Sequence, residues 1–387
     1  MKSFNFHQTT KIVFGKGRIK ELPEIAKSYG CKALLVTTPA DNEALKNQYK
    51  NVMDLLTFNG LEVTHFDGVI PNPTVGSITA GANMAKEYGV DMIIGLGGGS
   101  SMDSAKAISV EATHPGSAWD YLFYKEQPDP DKLLPVIVVS TTSGTGSQVT
   151  QVAVITNPEA RNKSALYNNI LYPQVCIVDP ELMLTVPKFV TACTGFDVLC
   201  HSFESLIHPG NSAYVNMMAW QAISLVIENL PTLINDTSDL KAREKMAWGD
   251  TLAGLCIANA GVTLPHGMGM AIGGMYPHIA HGEALAMVYP AFARFTQAHE
   301  VHKFAKLARM LNPDLTTISD EEAAVQSAEE ISKFLQILGL NYGLKDAKVP
   351  ENELEALATQ CMVLPDYKGN PRVATEVEML ELLKESY

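Results

Sequence analysis

Two nearly continuous apolar runs, Val90–Leu96 (VDMIIGL) and Leu133–Ser140 (LLPVIVVS), each give way at once to a loop of glycines and hydroxyl residues. A run without polar alternation suits a strand covered on both faces, as in a parallel sheet flanked by helices. Shorter strand-like runs stand at Lys32–Thr37 and Leu61–Phe66, with two more at Gln151–Thr156 and Gln174–Val178. Helical patterns over Gly17–Tyr29, Glu43–Asn59, Gly76–Tyr88 and Met102–Ala112 lie between them. This alternation predicts βαβ units and a mostly parallel sheet. With 46% hydrophobic and 18% charged residues, the chain has the material for a large core.

After Asp179-Pro180 strand-like runs nearly vanish and amphipathic stretches take over. Over Asp320–Leu338, Ser319 and Glu322 form a capping box, and Ile331, Phe334, Leu335 and Leu338 recur at helical spacing. The expected organisation is an α/β domain over residues 1–180 and an all-helical domain over 181–387.

A net charge of −13 leaves no basic footprint for nucleic acid. No uninterrupted apolar stretch, Leu133–Val139 included, approaches the roughly 20 residues that a membrane span needs. The start, MKSFNFHQTTKIVFGKG, has no apolar core of a secretory signal. Six scattered cysteines without a CxxC pair read as reduced thiols, which points to the cytoplasm.

The run 90–96 leads into Gly97, Gly98, Gly99, Ser100 and Ser101 at the start of a helix. Glycines there leave no Cβ between a ligand and the backbone amides, which makes an anion site. The spacing is not GxGxxG, because Ser100 stands where a glycine would be needed. By itself such a loop is also compatible with a plain strand-to-helix turn. A second loop, Ser140–Ser147 (STTSGTGS), follows the next strand and offers neutral donors. Two such loops after neighbouring parallel strands would share one end of the sheet, where α/β folds bind nucleotides.

Asp197 and His201 stand four apart in a mostly apolar helical stretch, FDVLCHSFES. His266 lies in LPHG and His281 in AHGE, with His278 nearby as a rival. One carboxylate and three imidazoles would make four ligands for a divalent transition metal. Taken singly, each is equally readable as a hydrogen-bonded core residue.

The ordered set GGGSSMDSAK (97–106), TTSGTGSQVT (141–150), TGFDVLCHSFES (194–205), LPHGMGMAIGG (264–274) and HGEALAMVYP (281–290) resembles the iron-dependent, group III alcohol dehydrogenases. Pro71–Thr74 (PNPT) and Asn370–Arg372 (NPR) fit as well, so the likeness runs from the first strand to about residue 375. The resemblance implies a dehydroquinate-synthase-like fold: an N-terminal dinucleotide-binding α/β domain, a helical metal-binding and substrate domain, and a site in the cleft between them. It implies Asp197, His201, His266 and His281 as catalytic metal ligands, preferring His281 to His278. It places Asn72, the 97–101 loop, Asp103, Thr141, Thr142, Thr145 and Lys163 toward the cofactor. The expected reaction is hydride transfer between NAD or NADP and a primary alcohol or aldehyde, with Fe(II) or Zn(II) bound, in a homodimer whose segment Thr10–Phe14 pairs across the subunits.

Three departures stand out. Where many members carry an acid after the second strand, this chain has Thr37-Thr38, which removes a repulsion against a 2′-phosphate and makes Thr38 a cofactor residue. Gln148 replaces the acid of the GTGSE pattern. Met270 stands where some members have a proton-relaying histidine, for which His278 is a substitute candidate. The rival readings are a glycerol-dehydrogenase-like polyol enzyme, a lyase of the dehydroquinate synthase type, and a nucleotide-binding protein that has lost catalysis. The poverty of Lys and Arg in the metal segments weighs against the lyase, and the presence of all four ligands against lost catalysis.

Overall fold

The strand-like runs become β1 (Lys11–Phe14), β2 (Lys32–Val36), β3 (Glu62–Phe66), β4 (Met92–Gly97) and β5 (Val136–Ser140), then a hairpin of β6 (Val152–Asn157) and β7 (Asn162–Tyr167), then β8 (Val175–Val178). Apart from that antiparallel hairpin the strands form one parallel sheet in the order β1-β8-β5-β4-β2-β3. β4 and β5 are buried along their whole length, as their unbroken apolar runs require. The helices between are α1 (Leu22–Lys27), α2 (Glu43–Phe58), α3 (Val75–Tyr88) and α4 (Gly99–Thr113). On one face Leu35, Ile94, Leu96, Ile137 and Val139 pack with Val52 and Leu56 of α2. α4 packs closely on β4, since a Cβ at Gly95 would come within 2.9 Å of the Ala105 Cβ.

From β2 the chain turns outward to β3, whereas from β4 it moves the other way to β5. The switch in direction leaves the carboxyl ends of β2 and β4 side by side, the position where open α/β sheets bind ligands. Thr37-Thr38 and the Gly97–Ser101 loop stand there.

The second half holds α5 (Lys188–Ile207), α6 (Ala213–Asn235), α7 (Leu240–Asn259), α8 (Leu264–Met275), α9 (His281–Thr296), α10 (Val301–Leu311), α11 (Asp320–Leu338), α12 (Leu354–Cys361) and α13 (Glu376–Glu385). The capping box at Ser319 and Glu322 starts α11. By length and composition α6 is apolar enough to cross a membrane, but half of its apolar window is buried inside the fold, as in a core helix.

This computed structural model describes residues 2–387. It divides into an α/β unit of residues 7–187 with 237–247, and a helical unit of residues 2–6, 188–236 and 248–387. A single boundary near 180 therefore misses two crossings. Residues 237–247 are helical in pattern, but buried Arg243 donates to the carbonyls of Val186 and Thr237 and ties the stretch to the α/β unit. β1, expected to pair across subunits, pairs with β8 of its own chain and stands at the edge of the sheet.

Candidate functional site

α5 is buried from Gly195 to Ile207, so its polar side chains must find partners inside the unit. Asp197, His201 and Glu204 fall at i, i+4 and i+7, which sets them along one face. α8 begins just after Thr263 with Pro265 in its first turn, and this brings His266 to the same place. His201 and His266 stack with ring centroids 4.6 Å apart. Asp197 Oδ1 lies 3.6 Å from His201 Nε2 and 3.4 Å from His266 Nε2. One ligand atom from each of the three falls within 4.8 Å of the others.

His281 stands beside this group rather than within it. Its ring centroid is 5.3 Å from that of His266. It is the first residue of α9, which approaches α5 so closely that a Cβ at Gly282 would lie 2.1 Å from the Cys193 carbonyl oxygen. Glu283 braces the same helix start by accepting from the Ala280 amide and the Tyr342 hydroxyl, at 3.0 and 2.7 Å. His278, the rival ligand and relay candidate, is exposed with its Nε2 on the Ala347 carbonyl oxygen at 3.1 Å.

Burial alone would push the Asp197 carboxyl up, but the neighbouring imidazoles, His201 foremost, hold it at about 2. Burial likewise depresses His266, yet Glu204 and Asp197 together raise it to about 10. Asp197 Oδ1 and His266 Nε2 are buried and make no hydrogen bond. Desolvated polar atoms left this way are costly unless something else engages them. A carboxylate oxygen and imidazole nitrogens converging on one point fit a divalent iron or zinc ion.

Glu204 escaped the sequence reading. It is fully buried and accepts from His266 Nδ1 at 2.7 Å and from the Thr263 amide at 2.8 Å. Its signal was in the sequence: it continues the face that Asp197 and His201 begin.

In the α/β unit the two loops meet. The Thr141 amide donates to the Gly97 carbonyl oxygen at 2.9 Å. A Cβ at Gly98 would lie 2.9 Å from Thr142 Oγ1, and one at Gly99 would lie 2.6 Å from Thr145 Cγ2. These glycines are thus required by the second loop as well as by any ligand. Gly98, Ser100, Thr142 and Thr145 are partly exposed, whereas Ser101 is fully buried. Lys163 Nζ donates to Asn72 Oδ1 at 2.8 Å, so those two residues are brought together.

Asp103, expected toward the cofactor, is engaged by the second loop and β6. It is buried, with Oδ1 taken by the Ser147 hydroxyl at 2.5 Å and Oδ2 by the Val154 amide at 3.0 Å. Lys106, one turn on and fully buried, donates to the carbonyls of Ser147, Thr150 and Val152 at 2.7, 3.0 and 2.7 Å. This acid–base pair of α4 fastens the second loop from beneath. Thr38 Oγ1 shares a hydrogen bond with Tyr49 Oη at 2.9 Å.

Known proteins carry the same pattern. Residues 9–180 match the iron-containing alcohol dehydrogenase family and residues 191–387 match the C-terminal part of the Fe-containing alcohol dehydrogenase family. The NAD-dependent methanol dehydrogenase of Bacillus methanolicus is 31% identical, over 98% of this chain and 99% of its own. The 1,3-propanediol dehydrogenase of Klebsiella pneumoniae is 32% identical, over 97% of this chain and 96% of its own. An archaeal halo-thermophilic alcohol dehydrogenase from a Red Sea brine pool superposes with a TM-score of 0.94 at 32% identity, covering both chains completely. Family matches over both halves, with relatives aligned end to end, make this chain a member of the iron-containing alcohol dehydrogenase family.

Proposed function

We propose that this dehydrogenase interconverts a primary alcohol and its aldehyde, with Asp197, His201, His266 and His281 as the ligands of a divalent iron and the α/β unit as the holder of NAD or NADP. The observation that carries the reading is the buried convergence of Asp197 Oδ1 and His266 Nε2, 3.4 Å apart and neither of them in a hydrogen bond. A divalent cation held there supplies Lewis acidity, which eases loss of the alcohol proton and polarises an aldehyde carbonyl in the reverse direction. The protein's share is to exclude water and fix orientation. The buried α5 face keeps bulk solvent from the ligands, and Gly98, Ser100, Thr142 and Thr145 offer backbone and hydroxyl contacts to a dinucleotide. One carboxylate with imidazoles suits zinc as well as iron.

The cytoplasm is the compartment we assign, in keeping with six free cysteines, five of them buried. A homodimer is the assembly we assign, and the edge position of β1 supports it.

The test is absorbance at 340 nm with NAD or NADP and a series of primary alcohols, with and without Fe(II). Turnover that needs both cofactor and metal is expected. His266→Ala should abolish metal retention and turnover, whereas His278→Ala should keep both. Turnover that survives complete metal removal would sink the reading.

A further inference from the structure

We propose that Glu204 is a positioning residue which sets the tautomer of His266 and so keeps its Nε2 open toward the metal. The proposal rests on the metal reading above and adds a residue to it. The Glu204 side chain is fully buried. Its Oε1 lies 2.7 Å from His266 Nδ1. Its Oε2 accepts from the Thr263 amide at 2.8 Å and the Thr263 hydroxyl at 3.2 Å.

An ionised carboxylate has acceptors and no donor. His266 Nδ1 must therefore carry a proton to meet it. In a neutral imidazole that leaves Nε2 as the lone-pair nitrogen, the atom that faces Asp197 Oδ1 at 3.4 Å. The carboxylate cannot swing away, because its other oxygen is held by the residue that precedes α8. One side chain on α5 thus fixes both where α8 starts and which nitrogen of His266 is offered.

A merely structural role, in which Glu204 only caps α8, makes a different prediction from a tautomer-setting role. Glu204→Gln separates them. Its amide oxygen can still accept from Thr263, so the cap survives. Its amide nitrogen then faces His266 Nδ1 as a donor, Nδ1 must accept, and the ring proton moves to Nε2 where it blocks the ligand position.

The experiment prepares wild type and Glu204→Gln free of metal and titrates each with Zn(II) against a chromophoric chelator, with Co(II) absorption reporting the ligand set. Outer partners of this kind are typically worth about 10- to 100-fold in metal affinity, and a loss of that size is expected with the thermal transition of the metal-free protein unchanged. Equal Zn(II) affinity in the two proteins overturns the proposal while leaving the metal reading intact. If wild type itself takes up neither ion, the metal reading falls and this proposal falls with it. A second measurement needs no variant: nitrogen-15 NMR of the zinc-loaded wild type should show a proton on His266 Nδ1, and its absence overturns the assignment. Loss of Zn(II) affinity together with that proton in wild type supports it.

Discussion

Thr38 stands at the carboxyl end of β2, where a carboxylate would repel a 2′-phosphate. Its hydroxyl is already engaged with Tyr49, itself buried and held above the ordinary phenol range chiefly by that burial. The feature that matters for NADP is thus the missing charge rather than a spare donor. Wild type should accept NADP at a kcat/KM within about tenfold of NAD, a difference of only about 1.4 kcal/mol. Thr38→Asp should then shift the ratio toward NAD by tenfold or more, since like charges 4 Å apart repel by about 4 kcal/mol at an effective dielectric near 20. The kcat/KM ratio in both proteins checks this, and a strict NAD preference unmoved by the substitution would assign the ribose to another residue. The grouping of Asp197, His201 and His266 was legible, since their side-chain types suggest one shared site and the structure brings them together. At Asp103 the bonds to Ser147 and Val154 were not legible, because a carboxylate beside a glycine loop looks the same in sequence whether it faces a ligand or holds the loop from behind. Glu204 was passed over because a glutamate on a helix is ordinarily solvated.

At the scale of elements, the close approach of α9 to α5 depends on Gly282. Adding one methyl against the Cys193 carbonyl oxygen, at 2.1 Å, must push the helix start outward. Gly282→Ala should cost roughly 1–3 kcal/mol in stability, as overpacking does, and should weaken metal retention by carrying His281 away. Thermal unfolding and metal content after desalting check the two effects; a variant as stable and as metal-rich as wild type would refute the close packing. α13 offers a pH test. Glu378 accepts from the Thr375 amide and hydroxyl and from Arg372, which holds its carboxyl down at about 2. A carboxyl depressed on folding gives stability that is fully present above its unfolded value and is lost as pH falls through the folded one. Amides of α13 should therefore stay protected from exchange at pH values near 4 in wild type and lose protection on Glu378→Ala; equal exchange in both would remove the cap from the account. Helices such as α11 and the buried strands were readable because period and caps agree there. The β7 strand was not, since its short polar-flanked run carries no apolar alternation strong enough to mark it.

At the scale of the whole molecule, two units should respond to two ligands. Fe(II) or Zn(II) should raise the unfolding transition of the helical unit, and NAD(H) that of the α/β unit, because a ligand stabilises the state that binds it. At a hundredfold excess over the dissociation constant the gain is about 2.7 kcal/mol. Hydrogen exchange resolved along the chain checks which residues gain protection; metal protecting residues 7–187 instead would reverse the assignment of the ligands to the units. The single boundary near 180 was legible as the place where strands cease. The return of residues 237–247 was not, because tertiary contacts such as that of Arg243 leave no mark on local pattern. That return has a consequence for how the protein is born. A chain leaves the ribosome N-terminus first, and its domains ordinarily fold as they emerge. Here the α/β unit reaches Pro187 still lacking the helical stretch that Arg243 anchors, and must wait for another sixty or so residues of synthesis to close. Residues 2–6, made before the α/β unit, belong to the helical unit and wait longer still. Neither unit can be finished in the order of synthesis, so the α/β residues of a nascent chain stalled near residue 187 should be protease-sensitive where those of a chain carried past 247 are not.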